Sequence, residues 1–349
     1  MTIAMAQTEE TMEEQLKTSG SPGRRRSAVS NLSRIPRVAI VGTGLVGSTT
    51  AYALMMSGLA AEIVLINRDR RRAVGHANDL RDAELFSHTS SVFVGDFSHC
   101  CSADITIITP GVSQAGKKSR EEGLNESAGI LHEVVRHVCL QNPSGILLIA
   151  SNPVDVLTYA AWKWSGLPAQ RVIGSGTSLD TSRFRRRLAD RYSVATANVH
   201  AYVIGEHGDS QVPVLSSARI GGVPLEEFSD GLPLPREERP WLTIADQTRT
   251  AGGEIINAKG GTHYGIAAAL TRIVRAILHD EHAIMTVSNL VPESMQFSDV
   301  SLSLPSIINR QGVARVLPLA LSSSERKALE ASANVIRRGI AAVSQVIPI

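Results

Sequence analysis

Cysteine is scarce: Cys100, Cys101 and Cys139 are the only three in 349 residues. An odd count with no CxxC pair argues against a disulfide framework and against a zinc site, and it suits a reducing, cytoplasmic compartment. No run of about 18 apolar residues occurs, so no membrane span is expected. Charge of one sign is also missing. Lys+Arg number 35 and Asp+Glu 33, a formal net charge of +2, which gives no general electrostatic reason to bind nucleic acid or a membrane. Residues 1–36 lack the apolar core of a signal peptide, and Glu9, Glu10, Glu13 and Glu14 are wrong for a transit peptide. Their Ser-Gly-Ser-Pro-Gly patch and "RRRS" read as a disordered tail or as an arm packed on a neighbouring subunit. A kinase or targeting site at "RRRS" is a third alternative.

What is present is globular. Hydrophobic residues make up 43% and charged residues 19%, enough for one large domain or two apposed ones. From Arg37 onward short apolar runs alternate with helical stretches. "RVAIVG" (37–42), "EIVLIN" (62–67), "SVFVG" (91–95), "ADITIITPG" (103–111) and "GILLIASNP" (145–153) read as buried strands. Helices are expected over 45–58, 68–86 and near 121–141. Continuous apolar strands separated by helices predict a doubly wound parallel α/β sheet of the Rossmann type. After about residue 175 longer helices and paired strands predict a mixed α+β domain. The expected division is 37–174 for the dinucleotide-binding domain and 175–349 for the substrate domain.

Gly42-Thr43-Gly44-Leu45-Val46-Gly47 carries the GxGxxG spacing between a strand and a helix. Gly42 permits the tight turn, Gly44 lets the backbone approach a pyrophosphate, and Gly47 lets helix and strand pack closely. The helix start offers free N–H groups to the phosphates. One expected feature is missing. The acid that holds the ribose of NAD about twenty residues on is replaced by Asn67, followed by Arg68. Asn keeps a hydrogen-bond acceptor but no longer repels a 2′-phosphate, and Arg68 with Arg70, Arg71 and Arg72 could pair with one. NAD and NADP are both open on these residues; the alternative is that the arginines are a solvated helix start.

In the second half, "VIGEHGDS" (203–210) sets His207 in a turn after a strand, and "GTSLDTSRFRRR" (176–187) puts Asp180 and Arg183 one helical turn apart. A histidine held by a carboxylate is a proton shuttle, and an arginine beside it offers a planar fork to a substrate carboxylate. Next to a nicotinamide, these groups suit hydride transfer between the cofactor and a 2-oxo or 2-hydroxy acid. Ile266, Leu270, Ile273 and Ile277 have helical spacing and read as core or subunit interface. "LEEFSDGLPLPREERP" (225–240) reads as a surface connection.

Over about residues 37–340 the chain closely resembles the L-lactate/malate dehydrogenase family, and its bacterial L-lactate dehydrogenases most of all. The resemblance rests on "VGTGLVGS", "ITPGVSQ", "SNPVDVLTY", "VIGSGTSLDTSRFR", "VHAYVIGEHGDS", "KGGTHYGIA" and "AILHDEHAIMTVS". It implies His207 as proton donor and acceptor, Asp180 as its orienting partner and Arg183 as the carboxylate ligand. It further implies Arg120 as a carbonyl-polarising residue on a closing loop, with Asn152 and Thr262 lining the substrate pocket. For the cofactor it implies Gly42, Gly44, Val46, Gly47, Asn67, Arg72, Gly111, Val112, Ala150, Asn152 and Ser175. Gln114 stands where malate enzymes carry Arg, so pyruvate is favoured over oxaloacetate, although Lys117 and Lys118 lie close by. Arg185 and His200 match an intersubunit anion site for fructose 1,6-bisphosphate in activated members; a histidine at this position also occurs in members without activation.

The resemblance also implies a homotetrameric, allosteric enzyme of glycolysis and pyruvate fermentation. Departures are Asn67, the run Ala115-Gly116-Lys117-Lys118-Ser119 in place of Pro-Gly-Glu-Thr, and Ser127 in place of Asn. A malate or broader 2-hydroxyacid dehydrogenase, NADP-linked or not, is the second reading. A non-catalytic dinucleotide sensor is the third, and it would not need His207 or Arg183.

Overall fold

Parallel β-strands buried on both faces are largely apolar along their length, because successive residues point to opposite sides and both sides are covered. Arg37–Val41 (β1), Glu62–Ile66 (β2), Ser91–Val94 (β3), Ile105–Ile108 (β4), Ile146–Ile149 (β5) and Val172–Gly174 (β6) form such a set in the computed structural model. The structure describes residues 35–88, 90–111, 120–228 and 239–349, and only the backbone of residues 120 and 121. The expected tail therefore lies outside the described residues up to residue 34. Pro36–Ile349 is one compact unit.

The sheet order runs β3-β2-β1-β4-β5-β6, all parallel. The order reverses between β1 and β4. In open α/β sheets that switch point is where ligands bind, beyond the carboxyl ends of the strands. Alternation sorts the two faces. Ala39, Val41, Val64, Ile66, Ile108, Leu147 and Ile149 meet Arg120–Gln141 (α3), Val154–Ser165 (α4) and Ser323–Val346 (α8). Val38, Ile40, Ile63, Leu65, Ile105, Ile107 and Leu148 meet Leu45–Met56 (α1), Arg70–Asp82 (α2) and Tyr264–Leu278 (α7). In α7 the spaced residues Leu270, Ile273 and Ile277 are buried, as core.

The second half contributes more to this sheet than its sequence suggests. Ala283–Leu290 (β10), Ser301–Asn309 (β11) and Gly312–Val316 (β12) extend the same sheet antiparallel, to nine strands, with Ser288 opposite Gly174. A Cβ on Gly176 would lie 2.5 Å from Ser288 N and from Ser303 Oγ, so only glycine allows this approach. Val199–Ile204 (β7), Val212–Ile220 (β8) and Val223–Pro224 (β9) form a separate sheet. Against it pack Ser178–Tyr192 (α5) and Pro240–Lys259 (α6), around Phe184, Leu188, Val203, Ile220 and Trp241. The segment expected as a surface connection begins with buried Leu225, and residues 229–238 lie outside the described residues.

Candidate active site

The glycine-rich turn leaves β1 at the switch point. Gly42 has φ +95°, and a Cβ there would sit 2.8 Å from Thr109 Oγ1. A Cβ on Gly47 would fall 1.9 Å from Gly42 O, so helix α1 reaches its strand only because residue 47 has no side chain. Gly44 is the opposite case: nothing stands within 4 Å of its absent Cβ. As the N-cap it gives α1 no side-chain cap, so the first N–H groups of the helix remain for an anion. These residues open on a cleft of about 950 Å³, lined also by Asn67, Arg68, Arg70, Arg72, Gly111 and Thr262. The open cradle, the uncapped helix start and the volume of the cleft fit a dinucleotide.

Asn67 lines this cleft with its amide engaged by the protein. Its Nδ2 donates to Thr43 Oγ1 at 2.5 Å, and its Oδ1 accepts from Asp69 N at 3.3 Å. The Asp69 carboxylate caps α2 by accepting from Arg72 N at 3.2 Å. Asn67 thus ties the end of β2 to the phosphate turn, while three arginines face the cleft around it.

The proton-transfer group is built on α5. Its buried stripe, Asp180, Thr181, Phe184 and Leu188, is the 3.6-residue periodicity that docks the helix, and the same stripe aims Asp180 inward. His207 Nδ1 and Asp180 Oδ2 are 2.6 Å apart, and Arg183 Nη1 donates to Asp180 Oδ1 at 3.0 Å. The Asp180 and Arg183 side chains are 4% and 12% exposed, whereas His207 keeps 27%. Burial raises the Asp180 carboxyl, but the hydrogen bond and charge of His207, with the Arg183 charge, outweigh it and lower its pKa. Burial likewise disfavours the imidazolium of His207, yet the hydrogen bond and charge of Asp180 prevail and raise its pKa. With Nδ1 held, Nε2 is the nitrogen left for a reacting group.

The loop that carries His207 is pinned residue by residue. Gly205 exchanges backbone hydrogen bonds with Ser303, at 2.9 and 3.1 Å. Glu206 N donates to Ser332 Oγ at 2.8 Å, and His207 N donates to Asp155 Oδ2 at 2.7 Å. Asp155, 2% exposed in the first turn of α4, also accepts from Ser303 Oγ at 3.3 Å. Burial pushes its carboxyl up to about 6. Asp155 and Ser303 are absent from the sequence expectations. The signal for Asp155 was a lone carboxylate at the start of the apolar run "VDVLTYAAW"; Ser303, on a strand buried on both faces, gave none.

The remaining expected residues distribute as follows. Segment 260–265 bridges the two halves of the site: a Cβ on Gly261 would touch Leu45 Cδ1 at 3.3 Å, and one on Gly265 would meet Leu179 Cδ1 at 2.9 Å. Thr262 therefore sits between the cleft and the helix that bears Asp180. His207, Asp180, Arg183 and Asn152 are not among the residues lining the cleft itself. Asn152 is exposed in the turn after β5. Ala150 N donates to Ile108 O and Ser175 N to Ile149 O, both at 2.9 Å, so each continues the parallel ladder at the carboxyl edge. Arg185 donates through Nε to Ala201 O at 2.7 Å and stacks over the Tyr202 ring, while His200 is exposed on the same strand. Arg120 begins α3, and Val112 and Gln114 lie outside the described residues.

The chain matches the NAD binding domain of lactate/malate dehydrogenase over residues 36–174 and the alpha/beta C-terminal domain of lactate/malate dehydrogenase over residues 177–346. It is 45% identical over 309 residues to an L-lactate dehydrogenase of Thermus aquaticus, covering 88% of this chain and 99% of that one. With an L-lactate dehydrogenase of Priestia megaterium it shares 42% over 302 residues, 86% of this chain and 95% of the relative. The crystal structure of a lactate dehydrogenase from a Medee basin deep-sea metagenome library superposes with a TM-score of 0.85 at 39% identity, over 89% of this chain and 99% of that one.

Proposed function

The chain belongs to the lactate/malate dehydrogenase family, and on that premise we propose that it interconverts (S)-lactate and pyruvate with a nicotinamide dinucleotide. The observation that carries the reading is the His207–Asp180–Arg183 arrangement, 2.6 and 3.0 Å between partners. When bound, the nicotinamide supplies the hydride acceptor or donor. The rest falls to the chain. In the oxidation, His207 Nε2 takes the proton of the lactate hydroxyl, and Asp180 stabilises the imidazolium that forms. In the reduction, the same imidazolium returns a proton to the carbonyl oxygen. Arg183 spends one N–H on Asp180 and keeps the rest of its fork for the substrate carboxylate.

Asn152 and Thr262 complete the pocket, Arg120 polarises the carbonyl, and neutral Gln114 favours pyruvate over a dicarboxylate. Gly42, Gly44, Val46 and Gly47 would hold the pyrophosphate, Asn67 and Arg72 the adenosine side, and Gly111, Val112, Ala150 and Ser175 the nicotinamide side. The cofactor is NAD; use of NADP in its place is the second reading, favoured by Arg68, Arg70 and Arg72 in the cleft beside Asn67. The enzyme works in the cytoplasm, at the fermentative end of glycolysis, as a homotetramer. Exposed Tyr52 and Met56 on α1 and Ile255 and Ile256 on α6 support burial against other copies. Fructose 1,6-bisphosphate is the proposed activator, bound by Arg185 and His200 of facing subunits. The dinucleotide-binding and substrate parts divide at 174/175.

Initial rates of pyruvate and oxaloacetate reduction, with NADH and NADPH titrated in parallel and with or without the bisphosphate, test the whole reading. Pyruvate with NADH should be fastest. A higher rate with NADPH would make the Asn67–Arg68 pair part of a phosphate pocket; no turnover of either acid would refute the activity.

A further inference from the structure

The N–H groups of Gly205, Glu206 and His207 each have a partner, and of these three only His207 donates to a carboxylate. Asp155 Oδ2 accepts the backbone N–H of the catalytic histidine at 2.7 Å, from a side chain 2% exposed. Its other oxygen accepts from Ser303 Oγ at 3.3 Å, and Ser303 Oγ itself accepts from Thr177 N at 3.1 Å, just before the helix that carries Asp180 and Arg183. Ser303 also pairs through its backbone with Gly205, two residues before His207. Asp155 lies three residues after Asn152, in the first turn of α4, where a helix start stabilises negative charge. One buried carboxylate therefore ties together the strand edge that bears Asn152, the histidine loop and the base of α5.

We infer that Asp155 is a positioning residue for His207, a second carboxylate that fixes the height of the histidine backbone and places a negative charge behind the ring, through the Ser303 bridge to α5. The inference deepens the reading above and rests on it only for the role of His207. A displacement of the ring by a fraction of an ångström would be felt at the reacting atoms, because proton transfer requires hydrogen-bond reach. The charged groups around His207 are Asp180 and Arg183 from α5 and Asp155 from α4; Glu206 stands beside it in the loop and acts on Asp155. Asp155 and Asp180 both favour the imidazolium, and Arg183 opposes them. Two carboxylates thus sit behind one proton shuttle, one on the ring and one on the backbone.

Asp155→Asn preserves the shape of the site. Its amide oxygen can still accept from His207 N, its NH₂ can donate to Ser303 Oγ, and only the charge is lost. The first readout is the titration of the His207 ring by NMR, on the full chain labelled in its histidines and without substrate or cofactor. That readout is independent of the assigned reaction, so failure of the lactate reading would leave it standing. The midpoint should move to lower pH in Asp155→Asn, and the upper pH limit of pyruvate reduction should move with it. Asp155→Ala, which also removes the backbone bond, should lower kcat by about tenfold or more with KM changed less than about twofold. An unmoved His207 midpoint in folded Asp155→Asn would overturn the inference. Should that variant not fold, Ser303→Ala carries the test. It keeps the charge but frees Oδ1, so kcat should fall by about threefold or more, and an unchanged kcat would refute the role.

Discussion

Asp180→Asn is the perturbation on which the proposed chemistry depends most directly. The substitution keeps the volume of a side chain that is 4% exposed and removes its charge. In the native site the carboxylate receives His207 Nδ1–H at 2.6 Å and Arg183 Nη1–H at 3.0 Å. A hydrogen bond to a charged group is worth about 1.5–3 kcal/mol net. At about 1.4 kcal/mol per tenfold, its loss shifts the balance between imidazolium and neutral imidazole by about 10- to 150-fold. The amide also presents an N–H to Nδ1, which forces the ring proton onto Nε2 and leaves no lone pair there for the lactate hydroxyl. Misplaced general-base function costs about 10²–10⁴-fold.

Lactate oxidation should therefore fall by about 10²-fold or more. Pyruvate reduction should fall too and lose its activity at a lower pH than the native enzyme. Arg183 loses its tether, so KM for pyruvate should rise. Steady-state rates in both directions between pH 5 and 10, with a thermal melt to establish folding, would measure this. A folded variant that oxidised lactate within about threefold of the native rate, with an unmoved pH limit, would refute Asp180 as the partner of the base.

Three further outcomes follow from the same geometry. His207 is raised above 6.5, the ordinary value for histidine, so pyruvate reduction should persist above that pH and decline as pH rises through the raised value, while lactate oxidation increases over the same interval. The Asp180–His207 pair likewise contributes stability below the ordinary histidine range and loses it through the raised value; opposite trends in the two directions, read from rate profiles, are required. Arg183→Lys keeps the charge but loses the fork, and kcat/KM for pyruvate should drop by about 10- to 150-fold; equal kcat/KM would place the carboxylate elsewhere. Gly47→Ala drives a methyl to 1.9 Å from Gly42 O, which should destabilise the fold by about 1–3 kcal/mol in denaturant unfolding and weaken NADH binding by fluorescence titration; native-like values for both would mean that α1 does not need this close approach.

Much of this protein is written in short-range pattern. The apolar runs that became β1, β2, β4 and β5 are recognisable because parallel strands covered on both faces are built mostly from apolar residues. The glycines at 42, 44 and 47 are recognisable because a phosphate turn tolerates no side chain there. Asp180 and Arg183 are one helical turn apart, so their common face was predictable from spacing alone. The partner of that face, His207, lies 27 residues further on, and here the resemblance of motifs to a family supplied what periodicity could not.

The tertiary structure decided the rest. It joined β10 to β6 and so extended one sheet across both halves of the chain, a pairing set by close approach of Gly174 and Gly176 to Ser288 and Ser303. It turned the Asn67 amide onto Thr43, which no reading of "INRD" could foresee. It brought Asp155 beneath His207 across a sequence separation of 52. Periodicity reports which face of an element is buried, because burial is a property of one segment against an averaged interior. Which buried polar atom meets which is a property of two segments at once, fixed only when packing has closed the distance between them.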